Sequence, residues 1–118
     1  SLLTLKLTLN SIVTFNPSIS LPSNLESLDL QANDIVTFNP TIALPSSLKL
    51  LNLACNSIVT FNPGNPLPVS LLELLLNTND IITFNPTIAL PSGLQKLLLN
   101  KRNKWLCVTP AVYIQVVQ

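Results

Sequence analysis

Charge is scarce in this chain. Asp, Glu, Lys and Arg make up 9% of its 118 residues, against about 25% in an average soluble domain. His and Met are absent, Gly occurs twice, and aromatic residues amount to 5%. Without His, imidazole acid–base and His-based metal chemistry are excluded. Six cations face five anions, a net charge of +1. That leaves no basic excess to neutralise phosphates, so no nucleic-acid partner is expected. No run of 18 apolar residues is present, so no membrane insertion is expected either. No charged segment followed by an apolar one opens the chain, and no signal peptide is expected. Cys55 and Cys107 are too few for a disulfide framework. Asn is abundant, but Pro follows it at Asn16, Asn39 and Asn85, which blocks N-glycosylation there, and no permitted acceptor triplet occurs elsewhere.

The low charge is not that of a disordered chain, because 47% of the residues are apolar. The length suits one domain. The charged residues have been replaced mainly by Asn, Ser and Thr, and these recur with a fixed period. Asn10, Asn33, Asn56 and Asn79 lie 23 residues apart, as do Phe15, Phe38, Phe61 and Phe84. Pro22, Pro45, Pro68 and Pro91 keep the same spacing, and so do Leu2, Leu25, Leu48, Leu71 and Leu94. The consensus is L-x-L-x-x-N-x-I-x-T-F-N-P-x-x-x-L-P-x-x-L-x-x, with no insertion or deletion. A fixed period of this length indicates a solenoid.

The L-x-L-x-x-N core resembles the leucine-rich repeat, over about residues 2–103. The L-P-x-x-L-x-x-L-x-L portion is similar to the short repeats of bacterial members of that family, whereas the F-N-P segment departs from their pattern. The resemblance implies an α/β-type solenoid: a horseshoe with a parallel sheet of short strands on its concave face.

The residues support a coil of that kind. In L-x-L, alternate side chains point to opposite faces of a strand. Strands are expected near 5–7, 28–30, 51–53, 74–76 and 97–99, with both Leu of each pair inward. The Asn of each coil turns the chain inward, and its amide satisfies buried backbone groups at the bend. Ile12, Ile35, Ile58 and Ile81 extend the core, and the four Phe form a stacked spine. One coil cannot bury such a face alone, so its neighbours must supply the core. Two prolines close together exclude a long helix in the return segment. Mostly extended or polyproline-like chain is expected there, followed by one 3₁₀ or helical turn started by Pro22 and its equivalents.

Residues 1–99 therefore read as the repeat array and 100–118 as a C-terminal cap or the start of a following element. Ser1 and Leu2 correspond to positions late in a repeat, which suggests a longer array or an N-terminal edge packed on another domain. At the other end Arg102 takes the place of the ladder Asn, and Asn103-x-Trp105-x-Cys107 loosely resembles the opening of cysteine-containing caps on extracellular repeats. Residues 108–118 fit either a helix or a strand. Cys55 and Cys107 follow the third and fifth strands, about 10 Å apart. That is beyond the reach of a disulfide, so both are expected to be reduced.

The solvent-facing strand positions differ between coils, while seven of the eleven positions from Ile12 to Pro22 are identical in all four copies. Lys6, Thr8, Asp29, Gln31, Asn52, Ala54, Leu75, Asn77, Leu98 and Asn100 are the candidate ligand-binding residues. They share that face with Thr4, Ser27, Leu50, Glu73 and Lys96. Variation over a fixed scaffold suits an extended binding surface, and Leu75 beside Leu98 is the best candidate contact. The face carries no Trp, Tyr or Arg, the usual hot-spot types. The expected function is a non-enzymatic binding module that meets a protein or a surface glycan, leaning toward an extracellular, cell-surface or virion setting. The alternative is a structural repeat of a filament, adhesin stalk or virion appendage, self-associating laterally through the Thr14, Thr37, Thr60 and Thr83 ladder; low charge favours such association. A regular Thr row is also compatible with ice binding. No catalytic, cofactor or metal site is expected: the five acids are scattered, no phosphate-binding glycine loop exists, and Cys55 has no His partner.

Overall fold

The computed structural model describes residues 3–16, 21–38, 43–61, 67–81 and 91–100, and the backbone of 83–84 and 114–117. Nine strands follow one another: β1 (Thr4–Lys6), β2 (Ser27–Asp29), β3 (Thr37–Phe38), β4 (Leu50–Asn52), β5 (Thr60–Phe61), β6 (Glu73–Leu75), β7 (Thr83–Phe84), β8 (Lys96–Asn100) and β9 (Ile114–Val117). They form two parallel sheets, of order β1-β2-β4-β6-β8-β9 and β3-β5-β7. No helix occurs among the described residues. The architecture is a β-solenoid of stacked 23-residue coils.

From β1 to β8, every pairing joins residues 23 apart. Leu5 faces Leu28, Leu28 faces Leu51, Leu51 faces Leu74 and Leu74 faces Leu97. The sequence period and the ladder register are thus the same number, which keeps each apolar row continuous. Leu28, Leu51, Leu74 and Leu97 are wholly buried, as are Leu30, Leu53, Leu76 and Leu99. Leu25, Leu48, Leu71 and Leu94, with Ile35, Ile58 and Ile81, extend the core, and Phe15, Phe38, Phe61 and Leu67 are buried in the same cluster. In the first coil Leu5, Leu7 and Ile12 are only partly buried, since they have a neighbouring coil on one side.

The strands begin and end one residue earlier than the expected 5–7, 28–30, 51–53 and 74–76. The hydrogen bonding supplies the reason. Leu3 O accepts from Glu26 N and Ser27 N, so pairing starts sooner. At the other end, the carbonyls of Leu30, Leu53 and Leu76 accept from the Asn amide three residues on, and the chain bends away. β8 runs on to Asn100, beyond the expected 97–99. Leu97–Asn100 pair residue by residue with Ile114–Val117 of β9, which keeps the strand extended to Asn100.

The return segment also differs from the expected plain extended chain. Its Thr-Phe pairs form the second sheet, Thr37 facing Thr60 and Thr60 facing Thr83, with a further bridge from Thr14 to Thr37. Identical segments stacked in register offer each other their backbone groups. The strands stop after two residues because Asn-Pro follows, and Pro has no N–H to add to a ladder. The expected turn after Leu-Pro is a single one, with Leu25, Leu48, Leu71 and Leu94 N–H donating to Pro22, Pro45, Pro68 and Pro91 O at 3.0–3.1 Å. Between the strand and helix readings of the C-terminal segment, 114–117 is strand, and it pairs in parallel with β8.

Candidate functional site

The Asn ladder determines how far the sheet face reaches. Asn33, Asn56 and Asn79 are 6%, 8% and 4% exposed. Asn56 Nδ2 donates to Leu30 O of the preceding coil and to Leu53 O and Ala54 O of its own, at 3.0–3.1 Å. Its Oδ1 accepts from Ile35 N, again in the preceding coil, at 3.1 Å. Asn33 and Asn79 repeat this set on Leu7 O and Ile12 N, and on Leu53 O and Ile58 N. Each amide therefore closes the bend of its own coil and fastens that coil to the one before. Asn10 is exposed and bonds to Leu7 O and Thr8 O within its own coil.

For the amide to fold back this way, the residue before it takes a left-handed backbone. Leu9, Ala32, Cys55 and Thr78 have φ of 59°, 59°, 57° and 58°. None is Gly, Asn or Asp, the residues that ordinarily mark this conformation. The position varies freely in the sequence and carried no signal of its geometry.

The Phe spine forms as a slipped stack. Phe15 and Phe38 lie 5.9 Å apart between ring centroids at 10°, and Phe38 and Phe61 lie 6.1 Å apart at 8°. Offset parallel rings are the favourable form of such contacts. The Phe84 side chain lies outside the described residues.

The outer face of the six-stranded sheet holds most of the candidate residues, in rows across the strands. Lys6, Asp29, Asn52, Leu75 and Leu98 form one register row. Lys6 is exposed and the other four are half-buried. The apolar pair Leu75 and Leu98 is adjacent, as expected. Ser27, Leu50, Glu73 and Lys96 make the next row, with Glu73 facing Lys96. Thr8, Gln31 and Asn77 are half-buried, two residues further on. Ala54, expected on this face, is buried at 4% exposure. Its single methyl is too short to rise between the longer Gln31 and Asn77 on either side. The Asn100 side chain, Cys107 and the 101–113 segment lie outside the described residues.

Two of the candidates are occupied by their own backbone. Asp29 Oδ1 accepts from Gln31 N, and Asn52 Oδ1 from Ala54 N, both at 3.1 Å. These Asx-type bonds end the strand locally. Asn52 Nδ2 also donates to Gln31 Oε1 at 3.1 Å. Leu75 and Leu98 replace the Asx residue in the next two coils, so this row changes from self-satisfied polar to apolar along the stack. Asn77 Oδ1 is buried with no hydrogen-bond partner among the described residues.

The second sheet offers a different surface. Thr14, Thr37 and Thr60 are exposed in one row, with Val13 and Val36 exposed beside them. Cys55 carries a free thiol. Among the described residues no group of three or more His, Cys, Asp or Glu side chains comes together to hold a metal ion, and no helix is long and apolar enough to cross a membrane. Comparison of the chain with protein-family models, curated proteins and solved structures finds no match.

Proposed function

We propose that this chain is a leucine-rich-repeat-type, non-enzymatic binding module of a surface-exposed protein, which meets a protein or a surface glycan through the outer face of the six-stranded sheet. In the horseshoe of that family this is the concave side. One observation carries the reading: outward residues change from coil to coil over inward rows that stay Leu. Lys6, Asp29, Asn52, Leu75 and Leu98 share one register row and differ in charge and polarity, while the neighbouring row is Leu in all five strands. A surface kept only for packing has no need of such a contrast.

The contact is centred on Leu75 and Leu98, with Leu50 near them and the Glu73–Lys96 pair at the border. Probing the immobilised chain with glycan arrays and panels of purified extracellular proteins tests this. A ligand whose affinity falls about tenfold or more on Leu75→Asp or Leu98→Asp, but holds on Thr60→Asp, supports the sheet face. A ligand indifferent to both Leu variants and lost on Thr60→Asp would overturn it. That second outcome favours the structural alternative, lateral self-association, which draws on the exposed row of Thr14, Thr37 and Thr60.

A further inference from the structure

Resting on the assignment of the sheet face as the binding surface, we propose that its partner is a short protein segment with aliphatic side chains and no net charge, and not a glycan. Among the described residues, six charged side chains stand on the strands of the six-stranded sheet or on the residue just before a strand, and they fall into three pairs. Lys6 faces Asp29 and Glu73 faces Lys96 in register. Lys49 Nζ lies 3.9 Å from a Glu26 carboxylate oxygen. Each pair joins neighbouring coils and holds one cation and one anion, the arrangement in which charges on adjacent strands attract. The other two charged residues described, Asp34 and Asp80, follow the ladder Asn, beyond the strands. Charge complementarity speeds encounter and selects among partners. Charges that answer one another across the strands leave a partner no net charge to meet.

The polar atoms beside the leucines are committed as well. Asn52, in register with Leu75, accepts from Ala54 N and donates to Gln31 Oε1. Asn77, two residues after Leu75 on the same face, has its Oδ1 buried. What this part of the face offers is apolar: Leu75 and Leu98 side by side and Leu50 on the next strand, all half-buried. A glycan would lay hydroxyls on these leucines, and a hydroxyl desolvated without a partner is unfavourable. From β1 to β8 no outward strand position is aromatic, so there is no ring for the apolar side of a sugar to rest on. Leu, Ile or Val side chains of a protein gain from burial there by apolar area alone.

The size of the patch decides between a segment and a second copy. A stable interface buries about 800 Å² per partner, and three leucines already half-buried fall well short of that. One or two aliphatic side chains of an extended segment cover them. A second copy would also have to desolvate the paired charges around them, at a cost that their mutual attraction does not ensure against.

The test displays a library of random peptides to the immobilised chain, with a glycan array in parallel. Retained peptides are synthesised, and their affinity is measured at about 0.01 M and about 0.1 M salt, between which the Debye length falls from roughly 30 to roughly 10 Å. The expected peptides are rich in Leu, Ile or Val, carry little net charge, and change in affinity by less than about threefold between the two salts. Leu75→Asn is expected to weaken them about tenfold or more. That variant gives the fourth coil the residue the third already carries at Asn52, so its fold is expected to survive, and circular dichroism checks it. Leu98→Asn repeats the test in the fifth coil.

Glycans retained in a leucine-dependent way would overturn the proposal and leave the sheet face as the site. The same holds for leucine-dependent peptides of strong net charge whose binding falls with salt. A parent chain at twice 12.8 kDa that Leu75→Asn returns to 12.8 kDa would give the patch to a second copy instead. A library from which no peptide is retained overturns the proposal too. Ligands of either kind indifferent to both leucine variants would remove the sheet-face assignment along with it.

Discussion

A single side chain, the ladder Asn, does the work of several backbone bonds. A buried carbonyl left without a donor costs about 1–3 kcal/mol. Asn56 serves three carbonyls and one N–H. Asn56→Ala is therefore expected to destabilise by about 2–4 kcal/mol in urea denaturation. Asn10→Ala, with two bonds in an exposed setting, is expected to cost about 1 kcal/mol or less. Equal losses at the two positions would show that the amides matter for the local bend and not for fastening coils together. The same residue type at the same motif position thus has two different weights, set by whether a preceding coil lies beside it.

At the scale of the element, the bend after each strand contains a strained step. A non-Gly residue in the left-handed region costs roughly 1–2 kcal/mol, and each coil has one at the position before its ladder Asn. The amide bonds that follow hold it there. Ala32 has φ of 59°, so Ala32→Gly relieves the strain while loosening the unfolded chain by about 0.4–1 kcal/mol. The expected net result is stabilisation by about 0.5–1 kcal/mol, the reverse of the usual Ala-to-Gly loss within a strand. A urea midpoint that falls would contradict the strain account. The Glu26–Lys49 ion pair, at 3.9 Å between side chains about half exposed, contributes little by comparison.

For the whole molecule, the stack behaves as a one-dimensional array in which each coil contacts its neighbours. Because register and repeat are both 23 residues, a coil can be removed without disturbing the rest. Deleting residues 48–70 places Leu71 where Leu48 stood and brings Ser27 opposite Glu73. This variant is expected to fold cooperatively, with a smaller urea m-value because less surface is exposed on unfolding. Deleting residues 48–69 instead slips the later coils by one place. A slip of one residue turns inward side chains outward, so that variant is expected to lose cooperative unfolding. Circular dichroism with urea titration compares the two, and equal folding of both would show that the core rows tolerate misregister.

The repeat, the inward Leu rows, the parallel pairing at a 23-residue offset, the buried Asn and the Phe stack all follow from one repeated pattern. An apolar–variable–apolar triplet has one way to bury its face, and identical neighbours pair without slip. The sequence also determined which of the described strand positions face outward, Ala54 excepted. Several features arise only once coils lie against each other. The Thr-Phe pairs become a second sheet because stacked copies satisfy one another's backbone, which no single copy can do. Strand limits are set by where an amide captures a carbonyl, while β8 outruns the others because β9 pairs with it as far as Asn100. Ala54 sinks because of the length of its neighbours on adjacent strands. The left-handed residues bear no mark in the sequence, since Leu, Ala, Cys and Thr are held there by the Asn that follows. Local pattern determined what each coil must bury; contact between coils decided how each coil bends and where its strands stop.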